Sequence, residues 1–198
     1  MKLVMATSNT NKILEIRNKF SDISNLELIP ISTFKNPPVI IEDGATFHEN
    51  AHKKAAGIAE FTGLASMADD SGLVIDALDG YPGIFSARFG GENAADDDRN
   101  RMILEKMQGV TADRRSARFI CIIAIAVPGE NCLYSVGNCD GFIVNEPRGS
   151  NGFGYDPIFY LPKLGKTMAE LSLEEKNKIS HRAKALDAAK ELLGSLCA

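Results

Sequence analysis

Ala65-Ser66-Met67-Ala68-Asp69-Asp70-Ser71-Gly72-Leu73-Val74-Ile75 is the stretch on which the fold turns. A short apolar run meets two adjacent carboxylates, a small hydroxyl and a glycine, and a second apolar run follows. Successive side chains of a strand point to opposite faces, so Asp69 and Asp70 serve different surroundings. One is expected to face a cleft while the other holds the turn. Taken alone, the octapeptide 65–72 reads equally well as a hairpin corner, because Asp, Ser and Gly supply turn chemistry. The motifs on either side have to decide between the two.

Upstream, Lys2–Ala6 reads as a buried first strand that breaks at Thr7-Ser8-Asn9-Thr10-Asn11-Lys12. Ile13, Ile16 and Phe20 then recur at helical spacing. Strand, polar turn and helix make an α/β unit, and the free amides of a helix start suit an anion. The turn lacks the glycines of a P-loop, so by itself it reads as an Asn/Thr cap with a solvated lysine. Leu26–Ile31 is a second strand candidate. Thr46 and Glu49 have capping-box spacing and open a helix through about Phe61, with Asn50 and Lys54 on one face. His48 and His52 share a face but have no third ligand beside them, so they read as surface residues.

Downstream of the expected hairpin, Asn93–Gln108 is an acid-rich helix. Its run Asp96-Asp97-Asp98 reads as a solvated face at the positive helix end. Ala117–Val127 and Cys132–Val144 are two long strands around Pro128-Gly129-Glu130-Asn131. Gly149–Pro157 is an ordered, glycine-rich loop carrying Phe153 and Tyr155. Ser172 and Glu175 repeat the capping-box spacing, and Ser180 caps a final helix with Ala183, Leu186, Ala189 and Leu193 on its apolar face.

The whole chain sets limits on partners. It has 198 residues, enough for one domain or two small lobes, with 24% charged residues and a formal net charge of −4. That balance disfavours nucleic acid. The apolar run Phe119–Val127 is far too short for a membrane span, and Cys121, Cys132, Cys139 and Cys197 show no zinc-site spacing. A cytoplasmic protein is expected.

Polar motifs gather at the ends of the expected elements: Thr7–Lys12, Glu42, Lys54, Asp70-Ser71, Phe153–Asp156, Lys176 and His181-Arg182. Ligands of α/β folds bind at the carboxyl ends of strands. Paired carboxylates with several lysines suit a magnesium–phosphate substrate. In order, these blocks resemble the inosine/xanthosine triphosphate pyrophosphatase (Ham1-like) family. The matching blocks are Thr7-Ser8-Asn9 with Lys12, Thr46-Phe47 with Glu49-Asn50-Ala51 and Lys54, and Ala68–Leu73. Pro82-Gly83 with Ser86-Ala87-Arg88, Gly152–Pro157, and Glu175-Lys176 with Ser180-His181-Arg182 complete the set, over nearly the whole chain.

The resemblance implies an α/β protein with an elongated two-lobed fold around a central mixed β-sheet and a deep substrate cleft, as a single domain over residues 1–198. It implies a homodimer and the Mg²⁺-dependent hydrolysis of ITP, dITP and XTP to the monophosphate and pyrophosphate. Asp70 is then the catalytic carboxylate that orients or deprotonates the attacking water, and Glu42 (or its neighbour Asp43) with Asp70 the metal ligands. Substrate contacts fall to Thr7, Ser8, Asn9, Thr10, Asn11, Lys12, Lys54, Ser71, Phe153, Gly154, Tyr155, Asp156, Lys176, His181 and Arg182. Lys12 and Lys54 would clamp the triphosphate, Phe153 would stack on the base, and His181 and Arg182 would donate to a 6-keto oxygen. Two rivals stay open: a related pyrophosphatase acting on modified pyrimidine nucleotides, and a nucleotide sensor without turnover.

Overall fold

Strand β1 (Lys2–Met5) buries Leu3, Val4 and Met5 and so is covered on both faces. The structure, a computed structural model, describes residues 1–91 and 94–196; the expected helix start at Asn93 and the cysteine at 197 lie outside the described residues. Its strands, among those residues, are β1, β2 (Glu27–Pro30), β3 (Ala65–Ile75), β4 (Ser116–Ala126), β5 (Leu133–Ile143), β6 (Phe159–Leu161) and β7 (Lys166–Thr167). They form one mixed sheet in the order β2-β1-β3-β4-β5-β6-β7. β1 runs parallel to β2 and to β3, whereas β5–β6 and β6–β7 are antiparallel. The helices are α1 (Thr10–Lys19), α2 (Phe47–Thr62), α3 (Asp96–Lys106), α4 (Leu173–Ile179) and α5 (His181–Leu196).

The chain divides into two units: Met1–Asp70, Cys121–Gly137 and Arg182–Ala198 make the first, Ser71–Ile120 and Asn138–His181 the second. In the first unit, Leu3, Met5, Met67, Cys121, Ile123 and Ile125 face one way and bury Ile16 and Phe20 of α1 with Ala185, Leu186, Ala189 and Leu193 of α5. The intervening Val4 faces the other way, onto Ile31 and Ile58 of α2. This alternation is the period-2 pleat of a strand covered on both sides. Thr46 caps α2 through the Glu49 amide, and Gly63 closes it in the left-handed conformation at φ 66°, where a Cβ would be strained.

The second unit has its own core, in which Leu73, Ile75, Phe119, Ile143, Ile158 and Phe159 meet Ile103 of α3 and Met107, which caps that helix. Arg115, 5% exposed, ties this unit together by donating to the carbonyls of Met107, Val110, Ile143 and Val144. α4 carries the expected capping box of Ser172 and Glu175. Ser180, extended at φ −65° and ψ 158°, separates α4 from α5.

The expected hairpin at Asp69–Gly72 is not formed. β3 is one strand of eleven residues that passes straight through the two carboxylates, Ser71 and Gly72. Turn chemistry wins when Asp and Ser oxygens satisfy local amides; here the carboxylates are buried and paired with cations from other elements, so extended backbone prevails.

Candidate functional site

The first unit holds a cluster of ionised side chains built on the middle of β3. Asp69 shares a face with Met67 and therefore points toward α1 and α5. Its Oδ2 lies 2.9 Å from Lys12 Nζ and accepts from Nε and Nη2 of Arg182 at 3.2 and 3.1 Å. Arg182 Nη1 donates to Glu15 Oε2 at 2.6 Å. Glu15 lies three residues after Lys12, so one helix face delivers both groups. Asp69, Glu15 and Arg182 are all under 6% exposed. Burial pushes the Asp69 carboxyl up, but the Lys12, Arg182 and Lys54 charges outweigh it and hold it far below the usual carboxylate range. Asp69 thus braces α1 and α5 rather than a turn.

Asp70 faces the opposite way, toward α2. Lys54 Nζ donates to its Oδ1 at 3.0 Å and lies 3.2 Å from Glu42 Oε2. Asp43 turns away to Lys53, at 2.5 Å, so Glu42 and not Asp43 faces Lys54 and Asp70. The segment carrying Glu42 is held by the Gly44 amide, which donates to the fully buried Asn50 Oδ1 at 2.8 Å. Asp70 Oδ2 is buried and has no partner among the described residues. Burial raises the Asp70 carboxyl to about 6; the Lys54 ammonium opposes that rise and the Glu42 carboxylate adds to it. For Lys54, burial acts downward, and Asp70, Asp69 and Glu42 together leave it raised. Four carboxylates in the cluster outnumber three cations by one.

Thr7–Asn11 lies in the same unit, at the start of α1. Asn9 caps α1, its Oδ1 accepting from the Asn11 and Lys12 amides at 3.0 and 3.1 Å, and Thr7 Oγ1 accepts from the Asn9 amide at 3.2 Å. Ser8, Asn9, Thr10 and Asn11 are exposed. Elsewhere in this unit the His48 ring lies tilted over Tyr134 with centroids 3.8 Å apart, and His52 Nδ1 lies 2.7 Å from the Tyr134 hydroxyl. Both histidines are surface residues, as expected.

The second unit gathers Phe153, Asp156 and Lys176. Lys176 Nζ lies 2.6 Å from Asp156 Oδ2 and 4.4 Å from the centre of the Phe153 ring, while Asp156 Oδ2 also accepts from the Phe153 amide at 2.9 Å. Lys176 and Asp156 are 3% and 2% exposed. A buried ammonium paired to a carboxylate under an aromatic face fixes that ring's height. Gly152, at φ 78°, admits no Cβ, because one would land on the Asp156 carboxylate. Tyr155 is a core anchor whose hydroxyl donates to Ser86 O at 2.8 Å. His181 is stacked flat on Phe119, with centroids 4.6 Å apart. Ser71 follows Asp70 in β3 and is half-buried.

Two residues that sequence reading passed over belong to these clusters. Glu15 looked like an ordinary charge on a helix, and its spacing to Lys12 was the signal available. Asp96 is exposed in the first turn of α3, as the solvated-face reading expects, and in addition accepts from the Gly154 amide at 2.6 Å.

Glu42 and Asp70 offer hard oxygen donors, and the buried, unpartnered Asp70 Oδ2 is the kind of atom a cation would satisfy. The described residues contain no group of three or more His, Cys, Asp or Glu able to hold a metal. A hard divalent ion here would therefore draw its other ligands from water and phosphate, as Mg²⁺ prefers. No described helix is long and apolar enough to cross a membrane.

The fold is a mixed α/β sheet with a cluster of paired carboxylates, lysines and an arginine built on the middle of β3. The chain matches the model of the Ham1 family over residues 3–192, and it belongs to that family. It is 48% identical over 194 residues to the dITP/XTP pyrophosphatase of Shouchella clausii, covering 97% of this chain and 96% of the relative. A HAM1 protein from Coxiella burnetii superposes with a TM-score of 0.91 at 43% identity, covering 98% and 99% of the two chains. The nucleoside-triphosphatase / dITP/XTP pyrophosphatase of Mycobacterium abscessus gives 0.78 at 38% identity, covering 96% and 97%.

Proposed function

We propose that the protein hydrolyses non-standard purine nucleoside triphosphates (ITP, dITP and XTP) to the monophosphate and pyrophosphate, removing them from the nucleotide pool. The observation that carries the reading is Asp70, a buried carboxylate with one unpartnered oxygen, raised to about 6 beside Lys54 and Glu42. A base poised near working pH combines adequate ionisation with adequate basicity. Asp70 would orient the attacking water and take its proton as oxygen closes on the α-phosphorus.

Glu42 and Asp70 would hold Mg²⁺, which when bound would neutralise charge growing on the leaving pyrophosphate. The cluster's own excess of one negative charge disfavours a triphosphate, so a divalent cation is needed to reverse the local sign. Lys12 and Lys54 would grip phosphate oxygens, while Thr7–Asn11 and Ser71 would add neutral hydrogen bonds.

For the base, Phe153 would provide the stacking face, with Gly154, Tyr155, Asp156 and Lys176 holding it in place. His181 and Arg182 would donate to the 6-keto oxygen, and the ion pairs of Arg182 with Asp69 and Glu15 fix the plane of its guanidinium. An adenine amino group would meet a donor with no acceptor, a mismatch that can discriminate up to roughly 10⁴–10⁵-fold. The homodimer and the cytoplasmic setting that the resemblance implies are part of the same proposal, and light scattering in solution tests the first.

The deciding experiment is product analysis with ITP and ATP side by side, with and without Mg²⁺. The expected result is IMP and pyrophosphate from ITP, metal-dependent and far faster than turnover of ATP. Orthophosphate and IDP would overturn the assignment of Asp70, and binding without turnover would make the protein a sensor.

A further inference from the structure

Gly154 is held on both of its backbone groups by one helix. Its amide donates to Asp96 Oδ2 at 2.6 Å, and its carbonyl accepts from Asn100 Nδ2 at 3.0 Å. Asp96 and Asn100 are four residues apart on α3, and therefore on one face. The Asp96 carboxylate is itself held, 3.3 Å from Arg99 Nη1, while Arg99 Nε donates to Phe89 O at 3.0 Å. Asn100 is 2% exposed, and its Oδ1 is buried with no partner among the described residues. An apolar side chain of similar size would avoid that orphan oxygen, so the feature that the asparagine adds is its bond to Gly154. Phe153 immediately precedes Gly154, and Tyr155, anchored on Ser86, immediately follows it.

We propose that Asp96 and Asn100 are positioning residues that clamp the purine-stacking loop 152–156 and so set how tightly the base is held. The clamp rests on the assignment of Phe153 to the purine. α3 fixes the peptide planes on both sides of Gly154, and those planes set the height of the Phe153 ring over Lys176. Without the clamp the loop keeps its Asp156 and Tyr155 anchors but gains freedom at its centre, so binding of the base weakens while handling of the phosphates does not.

The test compares Asp96→Ala and Asp96→Asn with the parent protein by three readouts: KM and kcat for ITP, inhibition by inorganic triphosphate with Mg²⁺, and hydrogen exchange of the Gly154 amide. Loss of a hydrogen bond to an ionised acceptor predicts a rise in KM of about tenfold for Asp96→Ala, with a smaller change in kcat. Inhibition by inorganic triphosphate, which has no base, stays within about twofold of the parent. The Gly154 amide exchanges faster, and Asp96→Asn, which keeps an acceptor, recovers most of the loss. Asn100→Asp, which turns an oxygen toward Gly154 O, gives the same pattern if it folds; if it does not, the Asp96 pair decides. An unchanged KM, or an equal loss for ITP and inorganic triphosphate, overturns the clamp. A parent protein that binds inorganic triphosphate but not ITP overturns the purine assignment, and the clamp falls with it.

Discussion

Replacing Asp70 by asparagine should abolish turnover and yet stabilise the metal-free protein. The Asp70 carboxyl has an ordinary pKa of 3.8 and is raised to about 6 in the fold, chiefly by burial. Between those two values the folded chain binds more protons than the unfolded one, so stability falls as pH rises through that window. Above it, ionised Asp70 costs the fold about 3 kcal/mol relative to a neutral side chain of the same shape. Asparagine is such a side chain. Its Oδ1 can still accept from Lys54, and its Nδ2 replaces an oxygen that already lacks a partner.

The assay is thermal unfolding of both proteins in EDTA from pH 4 to pH 8. Titrating groups away from the Asp70–Lys54–Glu42 cluster are common to the two and cancel in the difference. For a chain of this length, about 3 kcal/mol corresponds to a Tm gain of roughly 6–12 °C above pH 7, shrinking toward zero at pH 4. Added Mg²⁺ should raise the Tm of the parent only, since a ligand stabilises the state that binds it. A difference that is negative at pH 7.5, or that does not change with pH, would refute the burial argument for Asp70.

Arg182→Ala leaves Asp69 and Glu15 as buried carboxylates without their main partner and should cost roughly 3–5 kcal/mol in urea unfolding; a loss under about 1 kcal/mol would mean that the two carboxylates find other compensation. Gly152→Ala forces a Cβ toward the Asp156 carboxylate at a φ of 78° and should cost about 1–3 kcal/mol while raising KM for ITP. Calorimetric Mg²⁺ binding to that variant without nucleotide should be unchanged, because the proposed metal ligands Glu42 and Asp70 are untouched, and a parallel loss of both would count against separate roles for the two clusters.

The strand–turn–helix at the N-terminus was legible because local rules govern it: Leu3 and Met5 face one way, Val4 the other, and Asn9 caps the helix that follows. The opposite orientations of Asp69 and Asp70 also followed from strand geometry alone. The continuity of β3 did not, because its cause is remote. Arg182, which makes an extended Asp69 tolerable, lies 113 residues on in sequence. No local window distinguishes a carboxylate satisfied by a turn amide from one satisfied by a distant guanidinium. Asp96 escaped for a related reason: Asp97 and Asp98 are exposed as a solvated face should be, and only the return of the chain at Gly154 singles out their neighbour.

The two carboxylates of β3 also show how structure separates a multiply paired charge from an under-paired one when residue type cannot. Asp69 has three cations acting on it, its charge is locked in at any ordinary pH, and neutralising it would cost the fold two helices' worth of anchorage. Asp70, next in the chain, has one ammonium shared with Glu42 and one oxygen with no partner among the described residues. A group satisfied in the resting protein has little to gain from a ligand, whereas an under-satisfied one releases its desolvation cost when a cation or a water proton arrives. The stability gain expected of Asp70→Asn measures that stored cost directly, and the same substitution at Asp69 should do the reverse and destabilise the fold.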